Sequence, residues 1–156
     1  MAEERMWIDG EWCAAENGET SEAMNPATGE VMAAVPKATV GDVDRCVEAS
    51  RRALQGAEWK KMDPAQRGRI LNKMAAVTYE KAKELAVVES SNNGKTFREA
   101  LSEIRYGAWT LEYFAGLTDK IEGTTIPVPG SRLNYTLRQP LGVTAHIVPW
   151  NFPLQL

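Results

Sequence analysis

Residues 143–153 read Val143-Thr144-Ala145-His146-Ile147-Val148-Pro149-Trp150-Asn151-Phe152-Pro153. The first six are mostly apolar and β-branched and lie between Gly142 and Pro149, a pattern that predicts a buried strand of an α/β sheet. The Trp-Asn-Phe triplet then follows the carboxyl end of that strand, where open α/β sheets bind ligands. Because each proline fixes φ and restricts the residue before it, we expect a stiff loop that holds the Asn151 side chain in one direction.

Two interpretations of Asn151 are open from the residues alone. An ordinary turn asparagine that bonds its own backbone is the favoured one. The other is a side-chain amide directed at a ligand. His146, the only histidine, lies within the predicted strand without a carboxylate partner nearby in the sequence, which favours a structural role over that of a general base.

The composition excludes several classes of function. The 156 residues are 44% hydrophobic and 25% charged, enough for a single core. A net charge of −3 with interspersed charges does not favour a nucleic acid or a membrane as partner. No leader-like or membrane-spanning apolar run is present, so the cytoplasm is the expected location. Cys13 and Cys46 have no metal-binding or redox spacing and are expected to be reduced.

The chain is organised as hairpins followed by helices. Alternation around Asp9-Gly10 predicts a hairpin over residues 6–12, and the turn at 25–30 leads into a strand at 31–35. Helix starts are predicted at three capping pairs: Thr39 with Asp42, Asp63 with Gln66, and Thr96 with Glu99. Gly94 is a predicted left-handed helix end, and the longest helix is expected to continue into Ile121 and to end at Gly123.

Two features near the end of the helical region have alternative interpretations. The helical spacing of Trp109, Tyr113 and Phe114 favours core packing over an aromatic binding platform. Residues 124–138 alternate around a Pro-Gly turn and predict an exposed hairpin. Because a two-stranded hairpin is marginal alone, this one is a candidate oligomerisation arm.

Several segments together resemble the amino-terminal third of the NAD(P)-dependent aldehyde dehydrogenases, over essentially the whole chain. They occur in family order: Trp7-Ile8-Asp9-Gly10-Glu11-Trp12, Asn25-Pro26-Ala27-Thr28-Gly29-Glu30-Val31, Asp42-Val43-Asp44, Glu89 with Gly94-Lys95, Tyr113-Phe114-Ala115-Gly116, Gly123-Thr124-Thr125-Ile126-Pro127, Pro140-Leu141-Gly142-Val143 and Pro149-Trp150-Asn151-Phe152-Pro153-Leu154.

The resemblance implies an α/β fold that is the first part of a Rossmann-like cofactor-binding domain. Residues 1–121 would form its hairpins and helices, and residues 122–140 an embedded oligomerisation hairpin. Residues 141–156 would supply the first core strand and the asparagine loop, with the remainder of the enzyme absent. Complete members are expected to be homo-oligomers, dimers or tetramers.

The resemblance also implies the site. Asn151 would donate its amide to the oxyanion formed when a cysteine thiolate attacks an aldehyde, before hydride passes to NAD or NADP and a thioester is hydrolysed. This reverses the preference for an ordinary turn asparagine. The cofactor would be lined by Ile147, Val148, Pro149, Trp150 and Asn151, and the aldehyde tunnel by Phe152, Gln155 and Leu156.

The family's nucleophilic cysteine, its glutamate base and its glycine turn lie downstream of Leu156, and neither Cys13 nor Cys46 replaces the nucleophile. We therefore expect no catalysis by this chain alone. A non-catalytic folding or oligomerisation module is the alternative, and a helical interaction protein without enzymatic ancestry is a third class.

A monovalent cation site is a further implication of the resemblance. Some members hold Na⁺ or K⁺ with backbone carbonyls near the Asn-Pro turn and with an aspartate. Here the corresponding ligands would be Ala23, Met24 and Asn92. Because Asn92 replaces the aspartate and brings no charge, the prediction of this site is weakened.

Overall fold

The computed structural model describes residues 2–156. Met1, the first residue of the predicted segment 1–121, lies outside the described residues. The elements follow in chain order: β1 Ala2–Glu3, β2 Met6–Ile8, β3 Glu11–Cys13, β4 Thr20–Met24, β5 Val31–Pro36, α1 Val40–Gln55, α2 Ala57–Lys61, α3 Pro64–Glu80, α4 Ala82–Asn93, α5 Phe97–Leu117, β6 Thr125–Ile126 and β7 Asn134–Tyr135. The α/β class and the order of hairpins before helices are as predicted.

The first two hairpins are confirmed. Strands β2 and β3 pair antiparallel around Asp9 and Gly10, whose φ angles of 54° and 84° suit a tight hairpin turn. Strands β4 and β5 pair antiparallel across the turn at 25–30, and β1 lies parallel to β5, giving the order β1-β5-β4. The sequence did not predict β1, because a two-residue strand has no periodicity to read.

The predicted helix starts are confirmed by their capping contacts. Thr39, Asp63 and Thr96 each accept a hydrogen bond from the backbone N–H three residues on, with the reciprocal side-chain contact also present. Gly94 ends α4 with φ 85°, as predicted. Helix α5 ends at Leu117 rather than near Gly123, and Thr118 Oγ1 donates to the Ala115 carbonyl at 3.0 Å at this end.

The core lies where α5 packs against α3 and α4. Its buried residues are small apart from one isoleucine: Ala82, Ala86, Ala100 and Ile104. Gly68 of α3 lies directly against the Ala115 carbonyl of α5, so this helix pair is closely spaced. Small side chains at the contact allow the backbones to approach, and the helix layer is therefore held by close packing rather than by large apolar side chains.

The prediction that Trp109, Tyr113 and Phe114 pack in the core is wrong for the described chain. They are 50–55% exposed. Alanine, glycine and isoleucine occupy the covered face of α5, whereas these aromatic side chains contact one another, with 6.1 Å between the Trp109 and Tyr113 centroids and 5.4 Å between those of Tyr113 and Phe114.

The predicted buried strand at residues 143–148 is also wrong. No strand forms there within the described residues, and Ile147 is 100% exposed. A strand needs a neighbour to bond its N–H and C=O groups, and none of the strands described in residues 2–156 pairs with this segment. His146 is likewise exposed, with its Nε2 3.0 Å from Thr144 Oγ1.

The third predicted hairpin is present but short. Thr125 pairs with Tyr135 and Ile126 with Asn134, and both strands are exposed. None of the helices within residues 2–156 is both long and apolar enough to cross a membrane.

Candidate functional site

The Trp-Asn-Phe loop lies on the junction between α4 and α5. It is a series of turns in which the Phe152 N–H donates to the Pro149 carbonyl at 3.4 Å and the Leu156 N–H to the Phe152 carbonyl at 3.2 Å. The loop ends against α5, where the Leu154 carbonyl and side chain lie beside buried Gly107. A Cβ at this position would lie 3.5–3.7 Å from atoms of Leu154 and Gln155, which is ordinary van der Waals contact, so the loop packs directly on α5.

Two main-chain carbonyls of the loop are bound by side chains from the helix junction. Asn93 Nδ2 donates to the Trp150 carbonyl at 2.7 Å, and Lys95 Nζ donates to the Asn151 carbonyl at 2.6 Å. The Phe152 ring lies 5.0 Å from Lys95 Nζ, within range of a cation–π interaction. Each residue of the triplet is therefore connected to the segment that joins α4 and α5.

Lys95 is bound between two carboxyl groups. Its Nζ lies 2.8 Å from Glu89 Oε1 and also contacts Glu103 Oε2, and its side chain is only 11% exposed. Burial raises the pKa of the Glu89 carboxyl, with Lys95 acting against this shift and Glu103 adding to it. Burial lowers the pKa of the Lys95 ammonium, but the hydrogen bonds to Glu103 and Glu89 outweigh this and raise the pKa overall.

The Asn151 side chain is exposed and forms no hydrogen bond with residues 2–156. Among the described residues, Lys95 binds Asn151, and it does so at the main-chain carbonyl. The carboxamide does not bond the loop's own backbone, as a simple turn asparagine would. Its N–H groups are thus available to an acceptor outside the loop.

The residues expected to line the cofactor form one open segment. Ile147 and Trp150 are 100% and 84% exposed, and the Ile147 and Val148 backbone groups have no hydrogen-bond partner within the described chain. A nucleotide cofactor could lie along this surface. The carbonyls of Trp150 and Asn151 bind Asn93 and Lys95 instead, and the Pro149 carbonyl accepts from the Phe152 N–H, so the open carbonyls of this segment are those of Ile147 and Val148.

The expected tunnel residues lie beside the same junction. Phe152 and Gln155 are half-buried, and Leu156 is exposed. Phe152 is placed by its contact with Lys95, whereas the Gln155 backbone lies near Gly107. Phe152 and Gln155 thus lie beside the helix junction, and Leu156 follows them as an exposed residue.

The residues of the predicted cation site are partly brought together. Ala23 and Asn92 line one cavity of about 340 Å³ together with the buried Glu89, and Met24 follows Ala23 at an irregularity of β4. In the described residues, no three His, Cys, Asp or Glu side chains cluster as a metal site. The predicted cation site differs from such a cluster, because its ligands would be carbonyl and amide oxygens. It stays a prediction.

Sequence reasoning missed the side chains that hold the loop. Asn93 and Glu103 were assigned no role at the site, and Lys95 was noted only as part of a motif. The contacts of Asn93 and Lys95 with the loop span 57 and 56 residues. Such distant contacts leave no local periodicity. The available signal was the Glu89 and Gly94-Lys95 pattern within the resemblance.

The model of the aldehyde dehydrogenase family matches residues 12–156. Retinal dehydrogenase 2 of Mus musculus is 41% identical over 152 residues, which are 96% of this chain and 29% of that protein. Cytosolic 10-formyltetrahydrofolate dehydrogenase of Xenopus tropicalis is 40% identical over 157 residues, covering 97% of this chain and 17% of the relative. The chain thus spans less than a third of these curated relatives.

Solved structures agree with the sequence matches. A mutant aldehyde dehydrogenase from Bacillus cereus superposes with a TM-score of 0.94 at 42% identity, covering 98% of this chain and 31% of that one. A mutant of the P. syringae indole-3-acetaldehyde dehydrogenase AldA, in complex with NAD⁺ and IAA, gives a TM-score of 0.92 at 35% identity, with coverage of 99% and 32%. The fold is therefore that of about a third of an aldehyde dehydrogenase chain. The chain belongs to the aldehyde dehydrogenase family.

Membership of the aldehyde dehydrogenase family excludes one of the three classes of protein that the sequence alone leaves open. The family resemblance is confirmed over residues 12–156. The third class, a helical interaction protein without enzymatic ancestry, is wrong.

Proposed function

We propose that this chain is the amino-terminal portion of an enzyme that oxidises an aldehyde to a carboxylic acid with NAD⁺ or NADP⁺. The observation that carries the proposal is the Asn151 carboxamide, which is exposed, unbonded within residues 2–156, and fixed through its main chain to the α4–α5 junction. The curated relatives named above are dehydrogenases, and the AldA structure contains NAD⁺.

The proposed role of Asn151 is to stabilise negative charge. When a nucleophile adds to an aldehyde carbonyl, the carbonyl oxygen becomes an oxyanion. A neutral amide can donate an N–H to that oxygen without itself releasing a proton. A held donor is worth about 3 kcal/mol of transition-state stabilisation, because it need not reorient as the charge develops.

The cofactor would accept hydride from the substrate carbon when bound. In this proposal Ile147 and Val148 supply open backbone groups, Pro149 stiffens the chain after them, and Trp150 presents an exposed aromatic ring beside the amide. The aldehyde would approach past Phe152, Gln155 and Leu156. The nucleophilic thiol and the glutamate base would come from the rest of the enzyme, so the 156 residues alone are proposed to be inactive.

We also propose the partners and location of the complete enzyme. It would be a homo-oligomer, because the exposed hairpin β6–β7 leaves strand edges unpaired within the described residues. The cytoplasm is the proposed location, in keeping with the free thiols of Cys13 and Cys46.

Asn151→Ala tests the proposal in a completed enzyme, made by joining residues 1–156 to the remaining part of the Bacillus cereus aldehyde dehydrogenase. We expect kcat to fall by about 100- to 1000-fold, as for loss of one oxyanion donor. Steady-state oxidation of a small aldehyde, followed through NADH or NADPH absorbance, measures the effect.

Asn72→Ala is the matched control, because Asn72 is an exposed asparagine on α3. It should leave kcat unchanged. An Asn151→Ala enzyme that keeps full kcat while folding normally would remove the role assigned to the carboxamide.

A folding or oligomerisation module is the second candidate. Its supporting observation is the large exposed apolar area, which includes the half-exposed Trp109, Tyr113 and Phe114. Stable oligomers of the 156-residue chain, together with no activity in any completed enzyme, would favour this candidate.

A further inference from the structure

The Asn151 backbone is fixed on both sides of its Cα. The peptide group before it has its carbonyl, that of Trp150, bonded to Asn93 at 2.7 Å. The peptide group after it has the Asn151 carbonyl bonded to Lys95 at 2.6 Å. Since peptide groups are planar, holding the two that flank a Cα fixes the direction of its Cα–Cβ bond.

Lys95 is suited to hold a carbonyl because its own donors are all used. An ammonium group has three N–H donors. Its three acceptors are Glu89 Oε1, Glu103 Oε2 and the Asn151 carbonyl. With no donor left over, the group has one favoured orientation, and little solvent reaches it to compete.

The carboxyl groups hold Lys95 from two helices. Glu89 lies in the last turns of α4 and Glu103 in the second turn of α5, so the ammonium joins both helices to the loop. The Lys95 carbonyl also accepts a hydrogen bond from Ser90 Oγ at 2.7 Å, which fixes the lysine backbone to α4. The loop carbonyl is therefore bound by a side chain that is itself held at both ends.

We propose that Lys95 is a positioning residue for Asn151, and that with Asn93 it sets the direction of the Cα–Cβ bond that carries the carboxamide. This rests on the proposed function of Asn151. Lys95 itself touches neither substrate nor cofactor. It acts by holding the peptide group on the carboxyl side of Asn151, while Asn93 holds the one on the amino side.

A double-mutant cycle in the completed enzyme tests the proposal. Lys95→Met should lower kcat by about 10- to 100-fold, as expected for a misplaced catalytic group, while KM for the aldehyde changes little. In the Asn151→Ala background, the same substitution should lower kcat much less, because the group that Lys95 positions is already gone. Lys95→Arg should recover part of the lost kcat, since it retains a cationic donor.

Removing Lys95 alone leaves two carboxyl groups close together, which could prevent folding. Glu89→Gln/Lys95→Met, compared with Glu89→Gln, reduces this problem by removing one charge along with the lysine. Asn93→Ala tests the other carbonyl contact without changing any charge. Lys83→Met is the control, because Lys83 is an exposed lysine on α4.

The outcomes separate this proposal from the proposed function. An equal fall in kcat from Lys95→Met with and without Asn151 would overturn the positioning role, and so would unchanged kcat in the folded Glu89→Gln/Lys95→Met enzyme. Unchanged kcat in Asn151→Ala would instead overturn the proposed function.

In that case, NMR of the Asn151 side-chain amide in the 156-residue chain still tests the contact between Lys95 and the loop. Its resonances should move in Lys95→Met but not in Lys83→Met, and equal spectra in both would overturn the contact.

Discussion

Asp42 shows how one residue can join two parts of this chain. It is only 1% exposed, and its carboxylate accepts hydrogen bonds from the Thr39 N–H at 2.8 Å and the Glu16 N–H at 3.2 Å. The Arg45 guanidinium donates to the same group. The carboxylate thus begins α1 and also holds the loop that precedes β4.

Asp42 should make stability depend on acid pH. The Thr39 N–H holds the pKa of Asp42 well below its usual 3.8, and Arg45 and the Glu16 N–H add to this against the opposing effect of burial. The stabilising contribution is then complete above pH 3.8 and is lost as pH falls through the lower, folded-state value. Asp42→Asn should lower Tm at pH 7, and its difference from wild type should narrow below pH 3.8 in circular dichroism melts.

Asp44→Asn provides the comparison, because Asp44 is exposed on the same helix. It should leave Tm at pH 7 close to that of wild type. An Asp42→Asn difference that stays constant from pH 7 into the acid range would contradict the prediction.

The residue-scale predictions from sequence succeeded where the cause was local. Thr39 and Asp42, for example, are three residues apart, so the pattern alone gives their capping contact. The aromatic residues of α5 show the limit. Helical spacing places Trp109 and Tyr113 on a face, but which face is covered depends on α3 and α4, whose packing no short pattern specifies.

At the scale of elements, the α3–α5 contact depends on one glycine. A Cβ on Gly68 would lie 2.8 Å from both the Ala115 carbonyl oxygen and Thr118 Oγ1. Gly68→Ala should therefore force the helices apart and lower the free energy of unfolding by about 1–3 kcal/mol. Urea unfolding followed by circular dichroism measures the change.

Gly116→Ala is the control for Gly68→Ala, and the expected change in stability has the opposite sign. Gly116 lies in α5 and has nothing within 4 Å of an added Cβ. Because alanine is a better helix former, this variant should raise the free energy of unfolding by about 1 kcal/mol. If both variants shift stability by the same amount and sign, helix propensity rather than the α3–α5 contact would explain the effect.

A helix or strand was predictable from the sequence to the extent that contacts within the element itself stabilise it. Hairpin β2–β3 and the capped helix starts carry their signals within a few residues, and all of them form where expected. The segment 143–148 has the composition of a buried strand, but pairing must come from elsewhere, and no strand described in residues 2–156 supplies it. The candidate site follows the same rule: a sequence motif singles out Asn151, which stays a prediction, whereas the contacts of Lys95 with the loop are visible only in the fold.

At the scale of the whole molecule, the hairpin β6–β7 presents apolar side chains to solvent. Leu133 and Leu137 are 78% and 70% exposed, and Tyr135 lies between them at alternate positions of the chain. Tyr135 lies in β7 and the two leucines lie on either side of that strand, so the three contribute exposed apolar area along one short segment. Such a surface next to unpaired strand edges is suited to contact a second subunit.

Leu137→Asp should weaken self-association of the chain, because burying a carboxylate at a subunit contact is costly. Sedimentation velocity over a range of concentrations should show a lower proportion of oligomer than in wild type. Asn134→Asp adds the same charge at an exposed position of β7 and should have the smaller effect. A wild-type chain that stays monomeric at high concentration, or equal effects of the two substitutions, would contradict the assignment of this arm.

The bonds from Asn93 and Lys95 reach peptide oxygens, which every amino acid possesses. The attachment of the loop is consequently independent of which side chain stands at position 151. A serine, histidine or cysteine introduced there would be carried at the same place and angle as the native amide. This corner of the subunit is thus a ready location for installing new reactive groups by protein engineering.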